Sequence, residues 1–474
     1  MSAPVSDDKM PTVLIVGAGL GGLLLGALLE RINIPYFIFE RATKVKPLGS
    51  AMSLGINILP VFEQLGLLDE LMKFSYPCPT MHIVNPDMEK LGSVNLGHKS
   101  IAGLDTILFS RPKLYELMLK QVPEYKLNMG KKVLRTEETE DKVVIHCSDN
   151  TTYEGDILVG ADGAYSGVRQ SLYRRLSEKG LLPKSDSENL EIGYTCMVGV
   201  TSPQDPEKYP QLKHKVVDFE AVVGDKLLGW GTYNVPNNEI CWILLKQFEN
   251  SSDSKDQHFR NSEWSPETND AMIKEFYDLP CPFGGKMGDM IDATPKDLIS
   301  KVYLEEKLFE TWHSGRTVLV GDACHKMLPG AGQGAINAMQ DAVILSNCLY
   351  DLPDKSAKSI NAAFKDYFEQ RYCHTKKIYE FSAIISSVLA GQTWKEKILR
   401  KVVLNYMPTW LEKRNYTKQA AYRPQITWMP FAENHGSGPV LPQKPSKRYQ
   451  KEQQAQVKAG TTTKAAPAAE AAAV

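Results

Sequence analysis

The chain has 474 residues, 43% hydrophobic and 23% charged, the make-up of an ordinary folded protein with room for a large core and two closely joined domains. Its 55 basic and 56 acidic residues leave a formal net charge of −1, so charge gives no argument for nucleic acid as a partner. Eight scattered cysteines with no CxxC pair suit a reduced intracellular setting better than a disulfide framework or a structural zinc.

The opening stretch MSAPVSDDKMP is polar and acidic, unlike a signal or transit peptide. No run reaches the roughly 18–20 apolar residues that would span a bilayer. The expectation is a cytoplasmic protein without a transmembrane segment.

TVLIV (12–16) is a continuous apolar run, the pattern of a buried parallel strand. Gly17, Gly19 and Gly22 follow as G-x-G-x-x-G, then a helical pattern, then a second apolar run, YFIFE (36–40), ending in Glu40. This strand–turn–helix–strand–acid order is that of a dinucleotide fold. Gly17 permits the tight turn, Gly19 admits a pyrophosphate to the backbone, and Gly22 lets the helix lie close to the strand. The helix N-terminus favours the phosphates, and Glu40 suits the adenosine ribose hydroxyls. Arg41 is a candidate adenosine contact.

KVVIHCSDNTTYEGDILVGADG (142–163) predicts a hairpin turning at Asp149-Asn150 and then a strand closed by Asp162 and Gly163. GRTVLVGDA (315–323) repeats the plan and delivers Asp322. Both aspartates belong at the carboxyl edge of a sheet, where ligands bind in α/β folds. No second G-x-G-x-x-G opens a helix elsewhere, so one nucleotide is held permanently and any second lacks a domain of its own. After Asp322 comes the glycine-rich stretch GDACHKMLPGAGQGAIN (321–337). Asp322 and His325 have the spacing of a metal pair, but no further ligands surround them and a metal leaves the glycines unexplained.

LEIGYTCMVGV, HKVVDFEAVVG, KLLGWGTYNV and EICWILLKQF, broken at Gly224-Asp225 and Asn237-Asn238, predict an antiparallel sheet within 190–310. Residues 249–270 form a polar loop. Helical patterns follow at 358–390 and 394–414, and the composition from 443 to 474 is that of a disordered tail.

Three motifs in this order, GAGLGG with Glu40, GADGAYSGVR and GDACHKMLPGAGQGAIN, resemble the single-component FAD-dependent monooxygenases typified by para-hydroxybenzoate hydroxylase, over roughly residues 11–350. The HKM-x-P-x-x-GQGA form is similar to fungal epoxidases and hydroxylases of meroterpenoids and indole diterpenes. SRPKLYELML (110–119) matches the arginine-led helix of that family. The resemblance implies FAD, NADPH or NADH as co-substrate, and molecular oxygen. The architecture expected is α/β with α+β character. A Rossmann-like FAD-binding domain (11–189 and 311–350) carries an inserted antiparallel-sheet substrate domain (190–310). A C-terminal helical region (351–442) and the tail follow.

Asp322 is then expected on a ribityl hydroxyl, with Gly330, Gly332 and Gly334 making room for the flat flavin ring. Gly334, Ala335 and Asn337 would touch the ring, and the helix starting near Ala335 would stabilise the anionic reduced flavin. Gly49 and Ser53 are backbone contacts in GSAMSLGIN (49–57), which departs from the family form by Ile56 in place of proline. Arg111 is expected on a phosphate or ribose, and Asp162 in a motif that meets FAD and NAD(P)H. Arg169 is either a contact for NAD(P)H or a solvated helix residue. Tyr194, Met197, Phe219, Trp230, Tyr233 and Trp242 are either pocket wall or plain sheet core, with Tyr194 the candidate catalytic or polar substrate contact. The function implied is hydroxylation or epoxidation of an apolar, phenolic or prenylated compound in secondary metabolism. An oxidase or reductase on the same fold is the alternative.

Overall fold

The computed structural model describes residues 10–44, 49, 51–224, 227–248, 266–390 and 393–458. The opening residues 1–9, most of the polar loop (249–265) and the end of the tail (459–474) lie outside the described residues.

A six-stranded sheet carries the nucleotide domain. Its parallel core orders Thr317–Leu319, Ile157–Gly160, Val13–Val16, Tyr36–Glu40 and Leu127–Met129, with the antiparallel His313–Ser314 at one edge. Val13–Val16 and Ile157–Gly160 are buried along their whole length, which is why both read as unbroken apolar runs. The expected hairpin forms between Val143–Cys147 and Thr152–Gly155, with Asn150 at φ +64° in its turn.

An eight-stranded sheet stands over this domain in the order His325–Lys326, Ser300–Leu308, Glu191–Val200, Glu239–Gln247, Leu228–Val235, Phe219–Val223, Thr80–Val84 and Lys90–Asn95. Its last two strands come from well before residue 190, so the substrate sheet is not one continuous insertion. The parallel pairing of Phe219–Val223 with Thr80–Val84 makes that join. Side chains alternate between its faces. Met197, Trp242 and Leu244 pack with Phe276, Met287 and Met290 on one side, while Tyr194, Cys196, Ile243 and Leu245 gather with Leu328 on the other.

The long helix Ala357–Ala390 forms as expected, but 394–414 is not one helix. Pro408 stands as N-cap of Thr409–Ala420, and the chain divides there from Trp394–Tyr406. The tail also departs from its composition, for Lys447–Lys458 is helical. Asp351 accepts Ser446 Oγ at 2.6 Å and the backbone N–H groups of Lys447 at 3.0 Å and Arg448 at 3.1 Å. Glu452 then accepts Tyr350 Oη at 2.6 Å. Ser446 also caps the helix locally by accepting the Tyr449 N–H at 3.0 Å, and the tie of this first turn to Asp351, far away in sequence, is what local composition does not reveal.

Candidate active site

Gly17 turns the chain at φ +107°, a value that a β-carbon disfavours. A β-carbon on Gly22 would collide with the Gly17 carbonyl oxygen, so helix Leu20–Arg31 rests directly on this turn. Gly19 is different. Among the described residues, apart from its own chain neighbours, no heavy atom lies within 4 Å of where its β-carbon would be, and the helix after it has neither a side-chain cap nor an acid in its first turn. The result is a positively polarised helix end with room for an anion. Beside it Glu40 accepts the N–H of Ala18 through one oxygen and that of Ala42 through the other, both at 2.9 Å. Each oxygen keeps a lone pair for a further donor. Arg41 next to it is exposed.

Asp162 accepts Ser166 Oγ at 2.5 Å and the Val168 N–H at 3.2 Å, organising the start of helix Gly167–Glu178. Burial raises its pKa against these hydrogen bonds. Arg169 fits neither sequence-based role. It is 5% exposed, donates to the carbonyls of Ala323 at 2.9 Å and Ala164 at 2.6 Å, and lies 4.3 Å over the Phe309 ring. Its charge ties the two aspartate loops together from behind.

Asp322 pairs with Lys326 at 2.6 Å. Burial pushes the Asp322 pKa up, but Lys326, His325 and Arg111 outweigh it and hold the carboxyl below its ordinary value. Arg111, exposed at the start of helix Arg111–Leu119, packs on Gly49, where a β-carbon would meet its Cδ at 3.0 Å. A β-carbon on Gly332 would meet Ser53 Oγ at 3.3 Å, so the loops carrying Asp322, Gly49 and Ser53 converge.

The glycines of the loop divide by role. A β-carbon on Gly330 would collide with Ser386 of the long helix, so packing alone accounts for that glycine. At Gly334 the nearest atom to a β-carbon would be Met327 Cγ at 4.0 Å, leaving open space in front of helix Gly334–Tyr350. That helix has no side-chain cap, and Ala335 in its first turn is half-buried. Asn337 corrects the sequence reading: its side chain does not reach outward. Its amide donates to the Gln333 carbonyl at 3.0 Å, and its side-chain oxygen accepts from Arg371 at 2.9 Å.

Arg371 is the hub of a buried set of polar groups. Its Nε donates to Asp341 at 2.7 Å, and its other nitrogens reach Gln340, Tyr422 and Asn337. Asp341 also accepts the Gly321 N–H at 2.8 Å and lies 2.6 Å from His325 Nε2. Burial opposes the charge on both partners. His325 and Arg371 nevertheless hold Asp341 below the ordinary carboxylate range, and Tyr422 and Asp341 hold Arg371 above its ordinary value. His325 thus serves Asp341, not a metal pair with Asp322. Cys324, His325 and Asp341 lie within metal-ligand distance of one another, but Arg371, Gly321 and His325 already take up the Asp341 oxygens. The set extends to the loop at 55–57, where Gln340 donates to the Asn57 carbonyl and Asn57 to Gln333, both at 2.9 Å.

In front of the loop lies a cavity of about 450 Å³. Its walls are the loop Leu328–Gln333, the sheet face bearing Tyr194, Ile243, Leu245 and Leu304, and three helices beyond residue 357. Among the described residues, no Asp, Glu, Lys, Arg or His lines it. Tyr194 is half-buried; burial, then Glu306 and Glu396, raise its pKa and keep the phenol protonated. Phe219 also lines the cavity, and Trp230 borders it with its indole N–H committed to the Pro280 carbonyl at 2.8 Å. Met197 and Trp242 belong to the far face of the sheet, and Tyr233 packs against Phe219.

A family model described as an FAD binding domain matches residues 10–192 and 286–382, more than half of the chain. The chain belongs to this family of FAD-dependent monooxygenases. It is 28% identical over 415 residues to the FAD-dependent monooxygenase esdpE of Penicillium shearii, covering 84% of this chain and 81% of that protein. Its identity to the FAD-dependent monooxygenase ptmM of Penicillium ochrochloron is 29% over 399 residues, 80% and 89% of the two chains. Among solved structures, Klebsiella pneumoniae HpxO complexed with FAD and uric acid superposes with a TM-score of 0.69 at 21% identity, over 87% of this chain and 97% of that one. That likeness shows the fold.

The cleft of this flavoprotein fits FAD on its own geometry. Two uncapped helix ends face open space at Gly19 and Gly334, and Glu40 and Asp322 lie at separate strand ends with oxygens left to accept hydroxyls. Sequence reasoning missed the cavity contributions of Met81, Ile83 and Val94, and of Val403, Leu404 and Tyr416. The run TMHIV (80–84) carries a strand signal that could have found the first group. Nothing local marks the second.

Proposed function

We propose that this flavoprotein uses NAD(P)H and molecular oxygen to add one oxygen atom to an apolar, electron-rich small molecule, phenolic or prenylated, in secondary metabolism. The observation that carries the substrate class is the cavity in front of the flavin loop, which no charged side chain among the described residues lines. A charged substrate would lose its hydration there without a partner, at a cost of several kcal/mol. An aromatic ring or alkene loses little. The fungal relatives named above, both FAD-dependent monooxygenases, support the oxygen-transfer part of this reading.

In this reading Gly19 and the N–H groups after it hold the pyrophosphate, Glu40 the adenosine ribose, and Asp322 a ribityl hydroxyl. Gly17, Gly22, Gly49, Ser53, Arg111 and Asp162 shape the cleft around them, and Arg41 reaches the adenosine from the surface. Gly334 and Ala335 present backbone N–H groups to the ring, which stabilises negative charge there. FAD supplies the passage of two electrons from NAD(P)H to oxygen. The balance is substrate, O2, NAD(P)H and one proton giving oxygenated substrate, NAD(P)+ and water. Tyr194 donates a hydrogen bond to a polar group of the substrate, and the apolar walls exclude water.

The test is turnover of candidate phenols and prenylated compounds under 18O-labelled oxygen gas with mass detection. One heavy atom in the product supports the reading. Oxygen from water, or NAD(P)H consumed with hydrogen peroxide as the sole product, would favour the oxidase or reductase alternative.

A further inference from the structure

The helices that close the cavity have a second apolar face. Helix Trp394–Tyr406 turns Arg400, Val403 and Leu404 inward, the last two onto the cavity. On its other side Trp394, Ile398, Val402 and Tyr406 recur every four residues and are 69%, 55%, 49% and 69% exposed. Leu399, Met407 and Trp410 extend the patch across the turn into helix Thr409–Ala420. Single exposed leucines are ordinary, but seven large apolar side chains on one helix pair, three of them aromatic, are not.

Cations surround this patch. Lys395, Lys397, Lys401, Lys413, Arg414 and Lys418 are all exposed. The two acids between 394 and 418 are committed elsewhere: Glu396 forms a capping box with Thr393, and Glu412 meets Asn95 and His98. The segment is strongly basic in a chain whose formal net charge is −1. Aliphatic side chains flanked by tryptophan and tyrosine, with lysines and arginine around them, match the chemistry of the lipid–water interface. No described helix is long and apolar enough to cross a membrane, so such a contact lies on the bilayer.

We propose that helices Trp394–Tyr406 and Thr409–Ala420 dock this flavoprotein on the surface of a bilayer containing anionic lipid. The apolar stripe enters the interfacial layer and the cations meet the headgroups. The same helices give Val403, Leu404, Tyr416 and Ala420 to the cavity, so docking surface and chamber are opposite sides of one helix pair. An apolar substrate dissolved in the bilayer then has a short path inward. That consequence rests on the proposed substrate class; the docking does not.

The experiment is co-sedimentation of the full-length, FAD-loaded protein with phosphatidylcholine vesicles, with and without phosphatidylserine. Binding is expected on the anionic vesicles and falls with added salt, since each lysine or arginine near the surface adds about fivefold. The triple variant Ile398→Ser/Val402→Ser/Trp410→Ser should lose at least about tenfold in partition while keeping its FAD content and melting temperature. Lys397→Glu/Lys401→Glu, which leaves the apolar stripe intact, should lose about as much on anionic vesicles alone. Absence of binding to anionic vesicles, or wild-type partition by both variants, would overturn the proposal. So would a wild-type dimer in light scattering that the triple variant converts to monomer, because the patch would then face a second copy of the chain.

Discussion

The loop 321–337 has two unlike neighbours. Behind it Arg371, Asp341, His325, Gln340 and Asn337 form a buried, hydrogen-bonded set in which the charges of Arg371 and Asp341 meet directly. In front of it the cavity wall has no charged side chain among the described residues. The difference separates two jobs. In the proposed function, directional polar contacts behind fix the backbone that presents N–H groups to the flavin, and an uncharged surface in front admits an apolar reactant. Glycines at the boundary belong to both sides, Gly330 packing on the long helix and Gly334 facing the open space.

The largest effect should come from breaking the rear set. Arg371→Met leaves Asp341 buried without its guanidinium partner and should cost about 3–5 kcal/mol, read by urea unfolding together with FAD release. Arg371→Met with Asp341→Leu should recover part of that loss, because the orphaned charge is gone. If the single variant stayed as stable as wild type, the set would not be what fixes the loop.

Glu305 stands on strand Ser300–Leu308, which pairs with His325–Lys326 of the loop, and is 2% exposed and hydrogen-bonded by Tyr165. Burial raises its pKa to about 7; Lys326 works against that and Asp322 adds to it. Between about pH 4 and 7 the folded protein therefore keeps a proton that the unfolded chain has released, and stability falls as pH rises through that window. Glu305→Gln should match wild type near pH 4 and be roughly 2–4 kcal/mol more stable above about pH 7. Thermal melts at the two pH values read this, and parallel curves for the two proteins would show that Glu305 ionises freely.

At the cofactor itself, Asp322→Ala should fold and lose FAD affinity by roughly 10–100-fold, the worth of a charge-assisted hydrogen bond of about 1.5–3 kcal/mol. Glu40→Ala should weaken FAD similarly from the other end. Acid precipitation should release all of the flavin, and HPLC should identify it as FAD. A variant with wild-type affinity would remove its residue from the cleft.

Much of the nucleotide half was legible because its signals are local. The glycine turn at 17–22, the buried strands and the acids at their ends each occupy a few consecutive residues. The rest depends on distant partners. Nothing around Arg371 announces Asp341, and Asn337 reads as a ring contact until Arg371 takes its side chain. The strands at 80–95 join the substrate sheet by pairing with 219–223, a register that only the fold supplies. Pro408 was visible as a helix breaker and could have divided 394–414 from sequence alone.

The smallest expected effect is on the apolar side. Tyr194 stands on the sheet face that lines the cavity, with its phenol kept protonated by burial and by Glu306 and Glu396. In a neutral chamber a phenol can orient a substrate by one hydrogen bond while the walls supply most of the binding. Tyr194→Phe removes that donor and keeps the ring, so the loss should be about 0.5–1.5 kcal/mol, or roughly 2–10-fold in kcat/KM. FAD content should not change, since no described cofactor residue touches this side chain in the proposed arrangement. A rise in KM at constant kcat would make Tyr194 a binding contact, and a fall in kcat would place its donor in the transition state. Unchanged kinetics on every substrate found would reduce Tyr194 to pocket wall, leaving orientation to the shape of the cavity alone.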